Sequence, residues 1–174
     1  AKSLGWDWRL LAAIAYFESH FRPNAVAWTG AKGLMGIMPS TARALGFRYE
    51  EMGDPEKNIR AGIECLRRFR GSFPAASEEE RVKLTLASYN AGVGHINDAQ
   101  RLAKKYGHNP NVWTDNVAEY IRLKAEPKYY TDSVCRFGYL RGRETYRYVD
   151  AVLGRYHHYR ELTEKQTAEK TEKE

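Results

Sequence analysis

Long apolar runs, a cysteine framework, metal-ligand spacing and strand-like alternation are all missing from this sequence, and each absence narrows what the chain can be. No stretch approaches the roughly 18 apolar residues that a membrane-spanning helix requires. The opening AKSLGWDW lacks the charged leader and apolar core of a signal peptide. Because it runs almost directly into a helical pattern, the expectation is an excised domain whose targeting segment and neighbours lie upstream of Ala1. Cys65 and Cys135 are the two cysteines; their spacing reads first as buried free thiols and second as a bridge. The five histidines show no ligand spacing, since His157 and His158 are adjacent on a helix and point apart. Neither a metal nor a cofactor is therefore expected.

What is present fits one domain. The chain has 174 residues, enough to enclose one dry interior but crowded for two. Lys and Arg number 28 against 22 Asp and Glu, and the net charge of +6 favours a polyanionic partner. Nucleic acid, anionic lipid and the carboxylates of a bacterial wall all satisfy that condition. Twelve Tyr and four Trp add aromatic faces of the kind on which sugar rings stack.

Helix signals recur along the chain. Asp7 to His20 reads as a helix buried nearly all round, stopped by Pro23. Pro39 opens a short helix that Gly46 ends. Asp54-Pro55 begins another, running to Gly71 and Pro74. Ser77 with Glu80 forms a capping-box pattern ahead of a helix that closes near Gly92. HINDAQRLAKKYG follows, helical to Gly107, then WTDNVAEYIRLKAE to Pro127. A Tyr-rich connection leads to the last helix, ETYRYVDAVLGRYHHY. The expectation is a mainly α domain of about seven or eight helices with little or no sheet. Residues 1–160 form the domain, and the charged segment 161–174 reads as a disordered tail.

Glu18 is the residue that points to chemistry. It ends an apolar helix on the stripe of Leu11, Ile14 and Ala15, so folding draws its carboxyl inward. Desolvation and the negative end of the helix dipole both raise a carboxyl pKa, keeping a proton ready for a glycosidic oxygen near neutral pH. For a lone glutamate, the plainer reading is a side chain turned to solvent at a helix end.

The company Glu18 keeps reverses that balance. Glu18-Ser19, Gly33-Leu34-Met35 through Met38-Pro39, Ala87-Ser88-Tyr89-Asn90-Ala91-Gly92, and Glu144-Thr145 through Tyr148-Val149 occur in this order. Together they resemble the family 1 lytic transglycosylases, the soluble transglycosylase and goose-type lysozyme group. NIRAG, EPKYY and RYHHY are similar to its membrane-bound members. The resemblance spans about residues 4 to 160. It implies a lysozyme-like helical fold, with Glu18 as general acid and then base. Ser19 would fix the turn after Glu18 at the substrate site. Met35 and Met38 would lie under the sugar chain, and Thr29 would face substrate. Tyr89, with its hydroxyl near the catalytic carboxyl, Asn90 and Tyr148 would also contact substrate. The bland alternatives are core packing for Met35, Met38, Tyr89 and Tyr148, and a simple helix stop at Asn90-Ala91-Gly92. Gly36 departs from the family pattern, which commonly has Gln there to bind an N-acetyl sugar.

Glycosidases ordinarily use two carboxylates. No second acid stands at the four motifs except Glu144, which reads better as a charge favoured at a helix N-terminus. One carboxylate suits a substrate that supplies its own nucleophile. The resemblance implies non-hydrolytic cleavage of peptidoglycan between N-acetylmuramic acid and N-acetylglucosamine, leaving 1,6-anhydromuramyl ends. The alternatives are a lysozyme-like muramidase on the same fold and a non-catalytic wall-binding module. Nucleic acid finds no matching motif, and the segment itself is not expected to touch membrane. The resemblance also implies a periplasmic, outer-membrane-associated protein, with a solute-binding-like regulatory domain upstream.

Overall fold

Asp7 starts the first helix. Its carboxylate accepts from the Arg9 backbone N–H at 2.9 Å, capping α1 (Trp8–Ser19). The Arg9 guanidinium returns to the same carboxylate at 2.6 Å. These bonds from Arg9, opposed by partial burial, bring the Asp7 carboxyl down from 3.8 to about 2. None of residues 9–19 is exposed, in keeping with a helix enclosed nearly all round.

The computed structural model describes Ala1 and residues 4–171. Helix α2 (Pro39–Ala44) opens on its proline, and a 3-10 turn over Tyr49–Gly53 leads to α3 (Pro55–Gly71). The Asp54 carboxylate accepts the Lys57 N–H at 2.9 Å at the start of α3. Then come α4 (Glu78–Ala91), α5 (Val93–Lys105), α6 (Ala118–Leu123), the single-turn α7 (Pro127–Tyr130) and α8 (Gly142–Thr171). Among the described residues extended pairing is limited to two isolated bridges, Val26 with Lys32 and Lys32 with Ile37. The mainly α reading therefore holds.

The chain divides into two compact units, Ala1–Cys65 with Ala151–Glu174, and Leu66–Asp150. The division falls within α3 and within α8. In the first unit the interior is built from Ile14, Met35, Ile37, Met52 and Ala61; in the second, from Leu84, Leu86, Ile96, Leu102, Ile121 and Val149. Both cysteines are thiols outside any disulfide, Cys65 buried and Cys135 half-buried.

Four local expectations change. Glu80 does not close the capping box: Ser77 accepts the Glu80 N–H at 3.3 Å, while the Glu80 carboxylate accepts the N–H of Trp113 at 2.5 Å. That bond ties Trp113 to α4, and the segment expected to be helical from Trp113 is interrupted. Asp115 takes φ 57°, and regular helix begins only at Ala118. The Tyr-rich connection contains α7, nucleated by Pro127 at its first turn. Finally, α8 continues past Tyr159 to Thr171, where a disordered tail is expected. Residues rich in Glu, Lys and Ala have high helix propensity, Arg160 pairs with Glu164 at 3.6 Å, and Thr163 accepts from Arg9 Nη1 at 2.7 Å. Residues 172–174 of that segment lie outside the described residues.

In the second unit the connection after α7 is held by a buried acid. Lys124 donates to Asp98 at 2.5 Å, and the N–H groups of Arg136 and Phe137 donate to the same carboxylate at 2.8 and 2.9 Å. Both side chains of the Lys124–Asp98 pair are 0% exposed. Burial alone would raise the Asp98 carboxyl; these donors outweigh it and hold it below its ordinary value. Burial, and then the Lys124 charge, push His95 down.

Two measurements test these contacts. A Cβ at Gly142 would lie 1.7 Å from the Ile121 carbonyl oxygen, whereas one at Gly154 would meet nothing within 4 Å. Gly142→Ala is expected to destabilise by about 1–3 kcal/mol and Gly154→Ala to stabilise by about 0.5–1 kcal/mol, read from denaturant unfolding. For Asp7 the depressed pKa means that its contribution is full above pH 3.8 and is lost as pH falls through about 2. The melting-temperature difference between the native chain and Asp7→Asn, which can still cap, should shrink over that window.

Candidate active site

Glu18 lies in the last turn of α1, half-buried, between buried Ala15 and Ser19. The chain turns sharply after it. His20 caps the helix with φ 51° and its N–H donates to the Tyr16 carbonyl at 2.8 Å; Phe21 follows at φ 60°. Two successive side-chain-bearing residues in left-handed conformation cost about 1–2 kcal/mol each. Strain of this kind gathers where surrounding structure over-determines a functional geometry. Arg155 braces the other side of α1, its guanidinium 4.0 Å from the Tyr16 ring centroid.

Facing Glu18 is a tight loop. Lys32 and Ile37 exchange backbone hydrogen bonds of 3.0 and 2.9 Å, and Gly36 N–H donates to the Gly33 carbonyl at 3.1 Å inside them. Gly36 has φ 60°, and a Cβ there would lie 2.6 Å from Glu18 Oε2. The catalytic candidate and the glycine loop are therefore in direct register.

Asn58 anchors that loop. It is 0% exposed; its Oδ1 accepts the Met35 N–H at 2.7 Å, and its Nδ2 donates to the carbonyls of Lys32 and Met52 at 2.8 and 3.0 Å. A Cβ at Gly33 would lie 2.2 Å from Asn58 Nδ2. Four residues on, Gly62 gives the Met35 side chain its place, since a Cβ there would lie 2.8 Å from Met35 Cγ. Asn58 and Gly62 thus share one face of α3, which explains both ends of the NIRAG segment. Local sequence pattern carries no signal for Asn58 as an anchor, because its partners lie 6 to 26 positions away. Tyr49 is likewise unmarked by local pattern: its hydroxyl donates to the Gly30 carbonyl at 2.6 Å.

The expected substrate contacts of the first unit separate into two groups. Met35 is 2% exposed and belongs to the core rather than to a sugar-facing strip, because its own N–H and side chain are both held by α3. Ser19 is also 2% exposed; its hydroxyl lies 2.9 Å from the Leu34 carbonyl and 3.0 Å from that of Ala15. It ties the end of α1 to the 32–37 loop through the interior. Met38 is 37% exposed, and Thr29 is exposed beside Trp28. Of the four tryptophans, Trp6 and Trp113 are buried, whereas Trp8 and Trp28 are exposed.

In the second unit Tyr89 and Tyr148 are half-buried and Asn90 is exposed. Thr145, itself buried, donates its hydroxyl to Asn90 Oδ1 at 2.8 Å, joining the third and fourth motifs. Gly92 ends α4, with its N–H bonded to the Ser88 carbonyl at 2.8 Å, and directly precedes α5. Asn90-Ala91-Gly92 therefore makes a helix stop. Glu144 sits in the first turn of α8, 3.4 Å from Arg141 Nη1 and largely in solvent. No group of three or more His, Cys, Asp or Glu suited to a metal occurs among the described residues.

Comparison with known proteins decides the family. The Transglycosylase SLT domain matches residues 1–112. This chain belongs to that family. Membrane-bound lytic murein transglycosylase F of Vibrio campbellii is 43% identical over 84% of this chain and 27% of its own length. The protein of the same name from Marinobacter nauticus is 44% identical over 87% of this chain and 30% of its own. The SLT chain thus spans less than a third of each of these relatives. Among solved structures, the 70 kDa soluble lytic transglycosylase of Escherichia coli matches at 25% identity with a TM-score of 0.57, covering 91% of this chain and 22% of that one. The lysozyme-like helical fold expected from the sequence is therefore the one observed.

Asn58→Ala would leave buried backbone groups of Met35, Lys32 and Met52 without their partner. An unfolding free energy lower by about 2–4 kcal/mol is expected from denaturant titration, and Asn58→Asp, which keeps one acceptor but loses the donor, should not restore it.

Proposed function

We propose that this chain is the catalytic domain of a peptidoglycan lytic transglycosylase, with residues 1–160 as the domain and Glu18 as its acid and base. The observation that carries the reading is the placement of Glu18, in a chain of the SLT family, at a strained helix end against the anchored 32–37 loop. The substrate is the glycan strand of the bacterial wall. The protonated Glu18 carboxyl gives its proton to the oxygen linking N-acetylmuramic acid to N-acetylglucosamine, and that C1–O bond breaks. The muramyl N-acetyl group assists at C1. The Glu18 carboxylate then takes the proton of the muramyl C6 hydroxyl as O6 bonds to C1. The product is a 1,6-anhydromuramyl end, and water is not consumed. One group in two proton steps needs no second carboxylate.

Thr29 and Met38 in the first unit, and Tyr89, Asn90 and Tyr148 in the second, are the proposed substrate contacts; their partial or full exposure supports that use. Ser19 and Met35 support the site from the interior. The net charge of +6 favours an anionic wall polymer. The relatives are named as membrane-bound. No described helix is long and apolar enough to cross a membrane. We assign the full-length protein to the periplasmic side of the outer membrane, as the family resemblance implies, with a solute-binding-like regulatory domain in the part of its length that the relatives carry beyond this match.

Mass spectrometry of muropeptides released from purified sacculi tests the reading. The native chain is expected to yield anhydro ends, lighter by one water than reducing ends, and Glu18→Gln to release none. Reducing ends alone would make the protein a muramidase, and binding without release would make it a wall-binding module.

A further inference from the structure

We propose that Gly36 is a positioning residue for Glu18: the missing side chain at position 36 is the seat in which the Glu18 carboxylate lies. The proposal rests on Glu18 being the acid and base. A Cβ built on Gly36 would stand 2.6 Å from Glu18 Oε2, 3.2 Å from its Cβ and 3.4 Å from its Cδ. Non-bonded carbon atoms settle about 3.5–4.0 Å apart. A methyl group at position 36 and the carboxylate in its present place exclude one another.

Neither backbone is free to withdraw. The loop carrying Gly36 is closed by the Lys32–Ile37 pair, at 2.9 and 3.0 Å, and fixed from α3 by Asn58 at the Met35 N–H and the Lys32 carbonyl. On the other side Ser19, next to Glu18, is tied by its hydroxyl to the Leu34 carbonyl at 2.9 Å. The part that can yield is the end of the Glu18 side chain. A side chain at position 36 therefore relieves this contact by moving that end, and the carboxylate loses its position. Glutamine, the residue that the family resemblance leads one to expect here, carries the same Cβ. In this chain the placement of Glu18 and the glycine at 36 belong together.

Gly36 also has φ 60°, so any substitution adds backbone strain, which must be separated from the steric effect. Gly46 supplies the control: its φ is 82° in the same unit, and a Cβ there meets nothing within 4 Å. Gly36→Asn supplies a second variant, since asparagine tolerates left-handed backbone better than alanine while keeping the Cβ.

The experiment measures kcat and KM on soluble glycan strands, together with melting temperature, for the native chain, Gly36→Ala, Gly36→Asn, Gly46→Ala and Glu18→Gln. Both Gly36 variants should fold and lose about tenfold to a hundredfold in kcat, the penalty of misplacing a reacting group by about an ångström, with KM within about twofold of native. Gly46→Ala should lower the melting temperature comparably and keep native kcat. Native kcat in either folded Gly36 variant, an equal loss in Gly46→Ala, or a rise confined to KM overturns the seat. Glu18→Gln separates the two claims. Inactivity of that variant beside an active Gly36→Ala overturns the seat alone, whereas activity of Glu18→Gln removes the acid assignment on which it stands.

Discussion

In the first unit the arrangement around Glu18 hangs on one buried amide. Asn58 offers an acceptor to the Met35 N–H and donors to the carbonyls of Lys32 and Met52, all within 3.0 Å. A buried backbone group without a partner costs more than a typical hydrogen bond contributes. The loop from Lys32 to Ile37 therefore has one inexpensive way to lie on α3. That placement carries Met35 into the space above Gly62 and brings the Leu34 carbonyl to the Ser19 hydroxyl. Gly36 then comes against the Glu18 carboxylate. Each of these contacts is short, and each depends on the one before it.

The second unit uses charged groups for the same purpose. Asp98 and Lys124 are wholly buried together, and the carboxylate takes two backbone N–H groups as well. A buried ion pair is weak support for stability when its remaining hydrogen-bonding capacity is unmet. Here that capacity serves to pin the chain at Arg136 and Phe137, in a connection with little regular structure. Glu80 does similar work at Trp113, and Thr145 at Asn90. Polar side chains on regular helices thus hold irregular segments that could not hold themselves.

The steric and the electrostatic requirements of the proposed chemistry meet at the end of α1. A carboxylate that first gives and then takes a proton must keep its place through both steps. The left-handed residues His20 and Phe21 turn the chain away immediately after it, and the bare backbone of Gly36 admits it. Such positions lower local stability while limiting where the acid can be. Helix propensity alone would favour neither.

Much of this was legible from residues. Asp7, Pro39, Asp54, Ser77 and Gly92 mark helix ends through bonds made within a few positions, and every helix they predicted is present. The apolar stripe of α1 singled out Glu18 as the carboxyl to weigh, and four motifs in order pointed to the family. Other features were hidden. The break after Trp113 requires a carboxylate from α4, and the extension of α8 draws on Arg9, over 150 positions away in sequence. Met35 and Ser19 were expected at substrate but lie inside, because spacing along a helix or loop does not tell a core face from a cleft face. The sequence by itself determined the helical class, the order of its elements and the acid to examine, since capping, apolar period and motif order are local properties of the chain. Only the tertiary structure decided that Asn58 anchors the loop and that Gly36 makes room for Glu18, since both depend on which backbone groups from distant segments meet.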